Sequence, residues 1–379
     1  MNVCLFSANY LPNIGGIERY TYYLSKELIA LGHNVTVVTN NVFDLAPWET
    51  TQEGIELYRF PCYNVMRGRY PIPKKNEIFA EIMSRLNENP FDLVIINARF
   101  YFHSLIGAKF AKDNNVRVLT IEHGTTHLSV NNKVFDLLGQ VWEHFITVIL
   151  KKYCKEFYGV SLAACSWSSH FNIKSKGVLY NSIDLAEIES LMDKPVCSYK
   201  KELNIPDDAI VITFTGRILP EKGVPQLIEA VKQLNRENVY LLVAGDGPLF
   251  EELKNKYSKA IFLGRLDFAH VIALLKESDI FCLPSVSEGF STSVLEAVAA
   301  KNFIITTKTG GTKELICEKK YGIIMDSNTV EEVIDALKTA IDDTEYRLSA
   351  TENAYERLKE NFIWSKTAQK LERIMKNEE

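Results

Sequence analysis

The chain has 379 residues, 46% hydrophobic and 24% charged, with a net charge of −5; this is too long for one ordinary core and lacks the positive excess of a nucleic-acid binder. The charge is uneven: residues 1–180 carry 18 Lys+Arg against 15 Asp+Glu and the remainder 25 against 33, so a mildly basic first half leaves room for an anionic partner such as a membrane surface. Seven cysteines stand singly with no C-x-x-C pair, which argues against a disulfide framework or a zinc site and for a reduced, cytoplasmic chain.

MNVCLFSANYLP lacks the basic lead and apolar run of a secretory leader and reads as a first strand. NVTVVT, IELYRF, DLVIIN, VRVLTIE and SLAACS follow as strand candidates, separated by helical patterns such as IERYTYYLSKELIALG, which stops at Gly32. FITVILKKYCKEF is apolar only as far as Lys151, well short of the roughly 20 residues that span a bilayer. After a strand-like GVLYNSID and a polar run with Pro195 and Pro206, the rhythm restarts. AIVITFTG, VYLLVAG, AIFLG, DIFCLP and NFIITT read as strands, and VPQLIEAVKQL, PLFEELKNKY, AHVIALLKES and TSVLEAVAA as helices. Strand–helix alternation with continuously apolar strands implies parallel sheets covered on both faces. We therefore expect an α/β protein of two doubly wound, Rossmann-like domains, residues 1–176 and 177–362. A terminal amphipathic helix, 363–379, is expected to pack back on the first domain. In such folds ligands sit at the carboxyl ends of the strands, and the cleft between the two domains is the expected site.

The chemistry-bearing turns fall at those strand ends. GGIERY puts Gly15-Gly16 at the start of the first helix, but G-x-G-x-x-G is absent, which argues against a dinucleotide-dependent oxidoreductase. EHG places His123 after the strand VRVLTI; a lone histidine there serves as readily in a structural hydrogen bond, and neither it nor His127 has the neighbouring ligands of a metal site. GRILPEKG follows VITFT and offers Arg217, a planar fork, and Lys222, a compact charge, to a diphosphate. EGFSTSVLEA follows DIFCLP. Ser291 or Thr292 is expected to cap a helix running to about Ala300, whose first-turn N–H groups form an anion site that Gly289 leaves open to a ligand. Glu288 and Glu296 would stand on either side, about 12 Å apart if the span were helical throughout. Taken singly, each of these turns also reads as an ordinary solvated loop. AGDGP, FLGRL, Asn181 in LYNSID and Gly310-Gly311 read as punctuation.

In this order the motifs GGIERY, EHG, YNSID, GRILPEKG, AGDGP, FLGRL, EGFSTSVLEA and TGGTKELI resemble the retaining glycosyltransferases of family four over essentially the whole chain. The one departure is Ser182, where many members have glycine. The resemblance implies a GT-B fold, two Rossmann-like domains facing across a cleft, and sugar transfer from a nucleotide-sugar, a UDP-sugar first. It implies that Gly16, Arg217 and Lys222 contact the donor diphosphate and that Arg265 and Leu266 edge the base. Glu288, Gly289, Phe290 and Ser291 would hold the sugar, Thr292 would lie near the phosphate, Glu296 would bind the ribose, and His123 would stand beside the reacting sugar. Lys222, Glu288 and His123 are the catalytic candidates; no cofactor or metal is expected, because the protein supplies the cations.

Arg67, Arg69, Lys74 and Lys75 mix with aromatic residues in YNVMRGRYPIPKK, and Lys151, Lys152 and Lys155 follow apolar FITVIL. These segments suit anionic lipid as well as they suit solvated loops. The expected acceptor is thus a lipid-linked glycan or surface polysaccharide precursor at the inner face of the cytoplasmic membrane. A small soluble acceptor, a nucleotide-sugar epimerase of the same architecture and a non-catalytic glycan-binding protein are the competing readings. The last lacks a reason to keep Arg217, Lys222, Glu288 and Glu296 together.

Overall fold

The computed structural model describes residues 1–13, 15–127, 133–257 and 259–378 and, of Arg67 and Lys133, the backbone only. It forms two compact units, Met1–Asn181 with Trp364–Glu379, and Ser182–Ile363.

The first unit runs β1 (Asn2–Ser7), α1 (Gly16–Ala30), β2 (Asn34–Asn40), β3 (Trp48–Thr50), β4 (Glu56–Phe60), β5 (Cys62–Val65), β6 (Tyr70–Pro73), α2 (Glu77–Glu88), β7 (Leu93–Asn97), α3 (Phe102–Asp113), β8 (Arg117–Glu122), α4 (Lys133–Tyr153), β9 (Glu156–Gly159), α5 (Leu162–Ser168) and β10 (Gly177–Val178). Its main sheet has the order β10-β9-β8-β7-β1-β2-β4-β3, parallel except for the edge strand β3. In the second unit follow α6 (Leu185–Asp193), α7 (Tyr199–Glu202), β11 (Ile210–Thr215), α8 (Val224–Leu234), β12 (Val239–Ala244), α9 (Phe250–Lys256), β13 (Ala260–Gly264), α10 (Phe268–Lys276), β14 (Ile280–Leu283), α11 (Thr292–Ala299), β15 (Phe303–Thr307), α12 (Thr312–Leu315), β16 (Ile323–Met325), α13 (Val330–Asp342) and α14 (Thr344–Asn361). Its sheet, β13-β12-β11-β14-β15-β16, is parallel throughout. The chain then re-enters the first unit as α15 (Trp364–Met375).

The fully apolar strands sit where continuous Val/Ile/Leu runs predict, in the middle of covered sheets: every residue of β7, β14 and β15 is buried. SLAACS is a correction. It is the helix α5, because Ser161 turns its hydroxyl onto the N–H of Ala164 and so caps a helical start; the strand beside β8 is β9, EFYG. GVLYNSID supplies only the two-residue β10. FITVIL belongs to the 21-residue α4, and the basic YNVMRGRYPIP run folds as the β5–β6 hairpin.

The apolar face of α15 explains its return. Trp364, Ala368, Leu371, Ile374 and Met375 are buried in the cluster that holds Leu24 and Leu28 of α1 and Val3 and Leu5 of β1. Trp364 meets Tyr20 edge-on at 5.0 Å, Tyr20 donates its hydroxyl to the Leu179 carbonyl at 3.0 Å, and Thr367 donates to the Tyr180 carbonyl at 3.0 Å. In both units the strand order reverses beside the first strand, between β1 and β7 and between β11 and β14. These reversals open a crevice at the carboxyl ends of the strands.

On the other face of the first sheet His103 is fully buried against Phe6 and Phe60, and its Nε2 donates to the Val38 carbonyl at 3.0 Å. Burial lowers its pKa to about 4. The unfolded chain therefore takes up a proton below about pH 6.5 that the folded chain refuses, and stability falls as the pH drops from about 6.5 towards 4. The share of His103 at pH 5 is about 2 kcal/mol. Urea unfolding at pH 7 and pH 5 should show His103→Gln losing less stability than the parent by that amount; equal losses would remove the attribution.

Candidate functional site

In the second unit the reversal sets the ends of β11 and β14 side by side. Beyond β11 the chain passes Gly216 and an exposed Arg217, then winds a 3-10 turn over Pro220–Lys222. Beyond β14 comes the loop Pro284–Ser291 and then α11. The two turns are stitched together: Val286 donates its N–H to the Glu221 carbonyl at 2.8 Å, and the Ser285 hydroxyl donates to the same oxygen at 3.1 Å. Lys222 Nζ donates to Glu288 Oε1 at 2.6 Å, with side-chain exposures of 18% and 9%. Two motifs 66 residues apart thus share one charge pair, little of it open to water.

Glycine permits this approach. Gly223 has φ 72°, and a Cβ there would strike the Pro284 carbonyl; Gly310 has φ 53°, and a Cβ there would strike the carbonyls of Glu288 and Gly289. TGGTKE, expected to be punctuation, is therefore the back wall of the Glu288 loop, held by Gly311 N–H to the Gly289 carbonyl at 2.8 Å. AGDGP likewise supports the basic turn, since Ile218 N–H donates to the Asp246 carbonyl at 2.9 Å.

Of the two expected caps, Ser291 and Thr292, it is Ser291 that precedes helix α11, which opens at Thr292; Ser291 makes no side-chain cap bond, and its hydroxyl meets that of Ser293 at 2.9 Å. Its first-turn amides are thus left without the usual side-chain acceptor. Phe290 is buried edge-on against Phe362 at 5.3 Å. Glu296 is buried one turn inside the helix. Of the span from Glu288 to Glu296 only Thr292–Glu296 is helical, so the helical rise covers about half of the expected 12 Å. At the end of β13, Arg265 is exposed and Leu266 is packed against the β11–β12 core.

In the first unit His123 follows β8. Its Nε2 donates to Asn97 Oδ1 at 3.1 Å, Asn97 Nδ2 donates to Thr21 Oγ1 at 2.9 Å, and Tyr20 stands edge-on to the imidazole at 4.8 Å. The network fixes the tautomer, with the proton on Nε2. Burial lowers the His123 pKa to about 3, so the ring is neutral at physiological pH. Beside it lies a charge cluster absent from the sequence reading. Arg99, fully buried, reaches Glu122 through Nε at 3.0 Å and Glu143 through Nη1 and Nη2 at 3.0 Å, and its guanidinium lies 3.6 Å from the Phe171 ring centre. Glu122 also accepts the N–H groups of His123 and Gly124 at 3.0 Å each, which sets the E-H-G turn. His127, expected to stand apart from any ligand set, comes together with His144 of α4 and His170 of the turn after α5.

Gly16 is the first residue of α1 and is open to solvent. Glu18, buried and held by Asn13 Nδ2 at 2.7 Å, lies in that same first turn, and burial raises its carboxyl pKa. Arg69, Lys74 and Lys75 are exposed on or beside the β5–β6 hairpin; the side chain of Arg67 lies outside the described residues. Lys151 is otherwise engaged, donating to the carbonyls of Phe171 and Asn172 at 2.9 Å, which leaves Lys152 and Lys155 as the exposed lysines at that end of α4.

Comparison with known proteins matches both units. Residues 14–187 match the model of Glycosyltransferase Family 4 and residues 198–357 that of Glycosyl transferases group 1. An uncharacterized glycosyltransferase of Methanocaldococcus jannaschii is 26% identical over 99% of this chain and 98% of its own length. The GPI3 subunit of the phosphatidylinositol N-acetylglucosaminyltransferase of Saccharomyces cerevisiae is 23% identical over 99% of this chain and 83% of its own length. Among solved structures, Anabaena HepE in complex with UDP superposes with a TM-score of 0.75 at 17% identity, covering 99% of each chain. WaaG, a glycosyltransferase involved in lipopolysaccharide biosynthesis, superposes with a TM-score of 0.68 at 18% identity, again over 99% of each. With both family models matched and both units built as covered parallel sheets, the chain belongs to the group 1, family 4 glycosyltransferases and has their GT-B fold.

Proposed function

We propose that this glycosyltransferase moves a sugar, with retention of configuration, from a nucleotide-sugar, a UDP-sugar first, to a hydroxyl of a lipid-linked glycan. The observation that carries the donor reading is the Lys222–Glu288 contact beside the amino end of α11. It gathers a cation, a carboxylate and amides without a side-chain cap at the strand-order reversal of the second unit. Structures of similar fold hold UDP and UDP-glucose, which supports the donor class.

When the anomeric carbon–phosphate bond breaks, negative charge grows on the diphosphate and positive charge on the sugar. In this reading Lys222, Arg217 and the first-turn amides of α11 answer the first, and Glu288 the second; of these side chains Lys222 and Glu288 are held by each other. Before the donor arrives Glu288 holds Lys222 in place, and the diphosphate then competes for the ammonium. His123, neutral, is suited to act through hydrogen bonding rather than charge. Glu296 takes the ribose hydroxyls.

For the acceptor, α4 is the informative element. Val134, Leu138, Val141, Phe145 and Val148, spaced four, three, four and three apart, are all more than half exposed, as is Phe135. Phe135, Leu138 and Trp142 of α4, with Met66, Tyr70 and Ile72 of the hairpin side, line an apolar hollow of about 550 Å³. An exposed apolar stripe of this length is unusual on a protein surface and suits lipid. No described helix is long and apolar enough to cross a membrane. Relatives named for phosphatidylinositol N-acetylglucosaminyl transfer and for lipopolysaccharide biosynthesis accord with a lipid-borne acceptor.

Lys222→Ala should lower kcat/KM for sugar transfer by roughly 10²–10³-fold while circular dichroism stays that of the parent; a folded variant at parental rate would sink the donor site. Glu296→Ala should weaken UDP binding in calorimetry by about tenfold, one charged hydrogen bond, and unchanged affinity would remove its ribose role. The protein should float with anionic vesicles at low salt, and Val141→Asp with Phe145→Asp should abolish this; a parent that stays at the bottom of the gradient would take the membrane out of the reading.

A further inference from the structure

We propose that His127, His144 and His170 form a binding site for a divalent transition-metal ion, zinc first. The three residues come from different elements: His127 from the stretch after β8, His144 from α4 and His170 from the 3-10 turn after α5. Their candidate donor nitrogens lie within 4.8 Å of one another. His127 Nε2 and His170 Nε2 are 3.3 Å apart. Two imidazole nitrogens bound at about 2.05 Å to one tetrahedral ion stand roughly 3.3 Å apart, so this pair already has metal spacing. His144 and His170 are exposed, and the remaining approach is a small swing of the His144 side chain.

A second, independent feature points the same way. His127 Nδ1 donates to Glu143 Oε2, which keeps the proton on Nδ1 and leaves the Nε2 lone pair directed at the other two rings. A carboxylate behind a histidine is the usual outer partner of a metal-ligating imidazole. Glu143 is itself fixed, buried and held through Oε1 by the buried guanidinium of Arg99. The walls are aromatic: Trp167 stacks on His170 with ring centres 4.9 Å apart, and Phe171 packs against His127 at 5.7 Å and His144 at 4.7 Å.

Imidazole ligands suit zinc, nickel, copper and cobalt, and three of them with a fourth position open match zinc best. Calcium and magnesium, which take oxygen ligands, are excluded. Binding requires no redox step: three neutral imidazoles donate lone pairs and water completes the shell. The ion would tie His127 after β8 and His144 of α4 to the turn after α5, and so hold the helix that carries the exposed apolar stripe.

The test uses the full chain stripped with chelator and titrated with zinc chloride alone in a calorimeter, with cobalt chloride as a spectroscopic probe. The expected result is one ion per chain with the visible absorption of four-coordinate cobalt. His170→Ala and His144→Ala, both surface changes that leave the fold intact, should each abolish the cobalt spectrum. Glu143→Gln should weaken zinc binding by about 10–100-fold. No zinc uptake by the parent, or the same affinity and cobalt spectrum in His170→Ala, would overturn the site; a six-coordinate cobalt spectrum would overturn the three-imidazole geometry.

Discussion

The ammonium of Lys222 against the carboxylate of Glu288 is the contact on which the site depends. Neither group gains much by being there: two charges withdrawn from water repay their desolvation only when geometry is good and other hydrogen bonds complete the shell. The fold forces the encounter. Placing β14 beside β11, rather than continuing outward past β13, brings two carboxyl-end turns to one point, and glycines at 223 and 310 remove the atoms that would keep them apart. The pair is held at 2.6 Å with little of either side chain open to water.

The first unit uses buried charge differently. Arg99 stands between Glu122 and Glu143 with no exposure, so two carboxylates share one guanidinium. Loss of one member of such a cluster costs about 3–5 kcal/mol by stranding the others. In return the cluster sets the backbone of the E-H-G turn through Glu122 and the tautomer of His127 through Glu143. The neutral state of His123 has the same origin, a ring desolvated by its neighbours and given one neutral acceptor, Asn97.

Helix α4 turns the usual arrangement inside out. Its buried side includes Glu143 and Thr147 beside Ile146 and Leu150, while Val134, Phe135, Leu138, Val141, Phe145 and Val148 face outward. The inward side satisfies Arg99 and the outward side leaves a stripe that water does not favour. Sequence reading located the apolar run and its lysines but assigned Lys151 to the surface, because nothing local announces that Phe171 and Asn172 will present carbonyls to it.

Period and punctuation in the amino-acid sequence were enough to determine the two parallel sheets, a helix opening after the EGFS turn and the amphipathic character of the terminal helix, since each rests on contacts between near neighbours or on one apolar face. SLAACS misled for the reverse reason: a seven-residue helix is too short to show its period, and a serine cap decided it. The motif residues were legible as types at strand ends, where parallel sheets place ligands. Only the tertiary structure decided who meets whom. The Lys222–Glu288 pair, the packing of Gly310 under the Glu288 loop, the Arg99 cluster and the three gathered histidines join residues tens of positions apart, and such encounters are set by strand order, which no local spacing encodes.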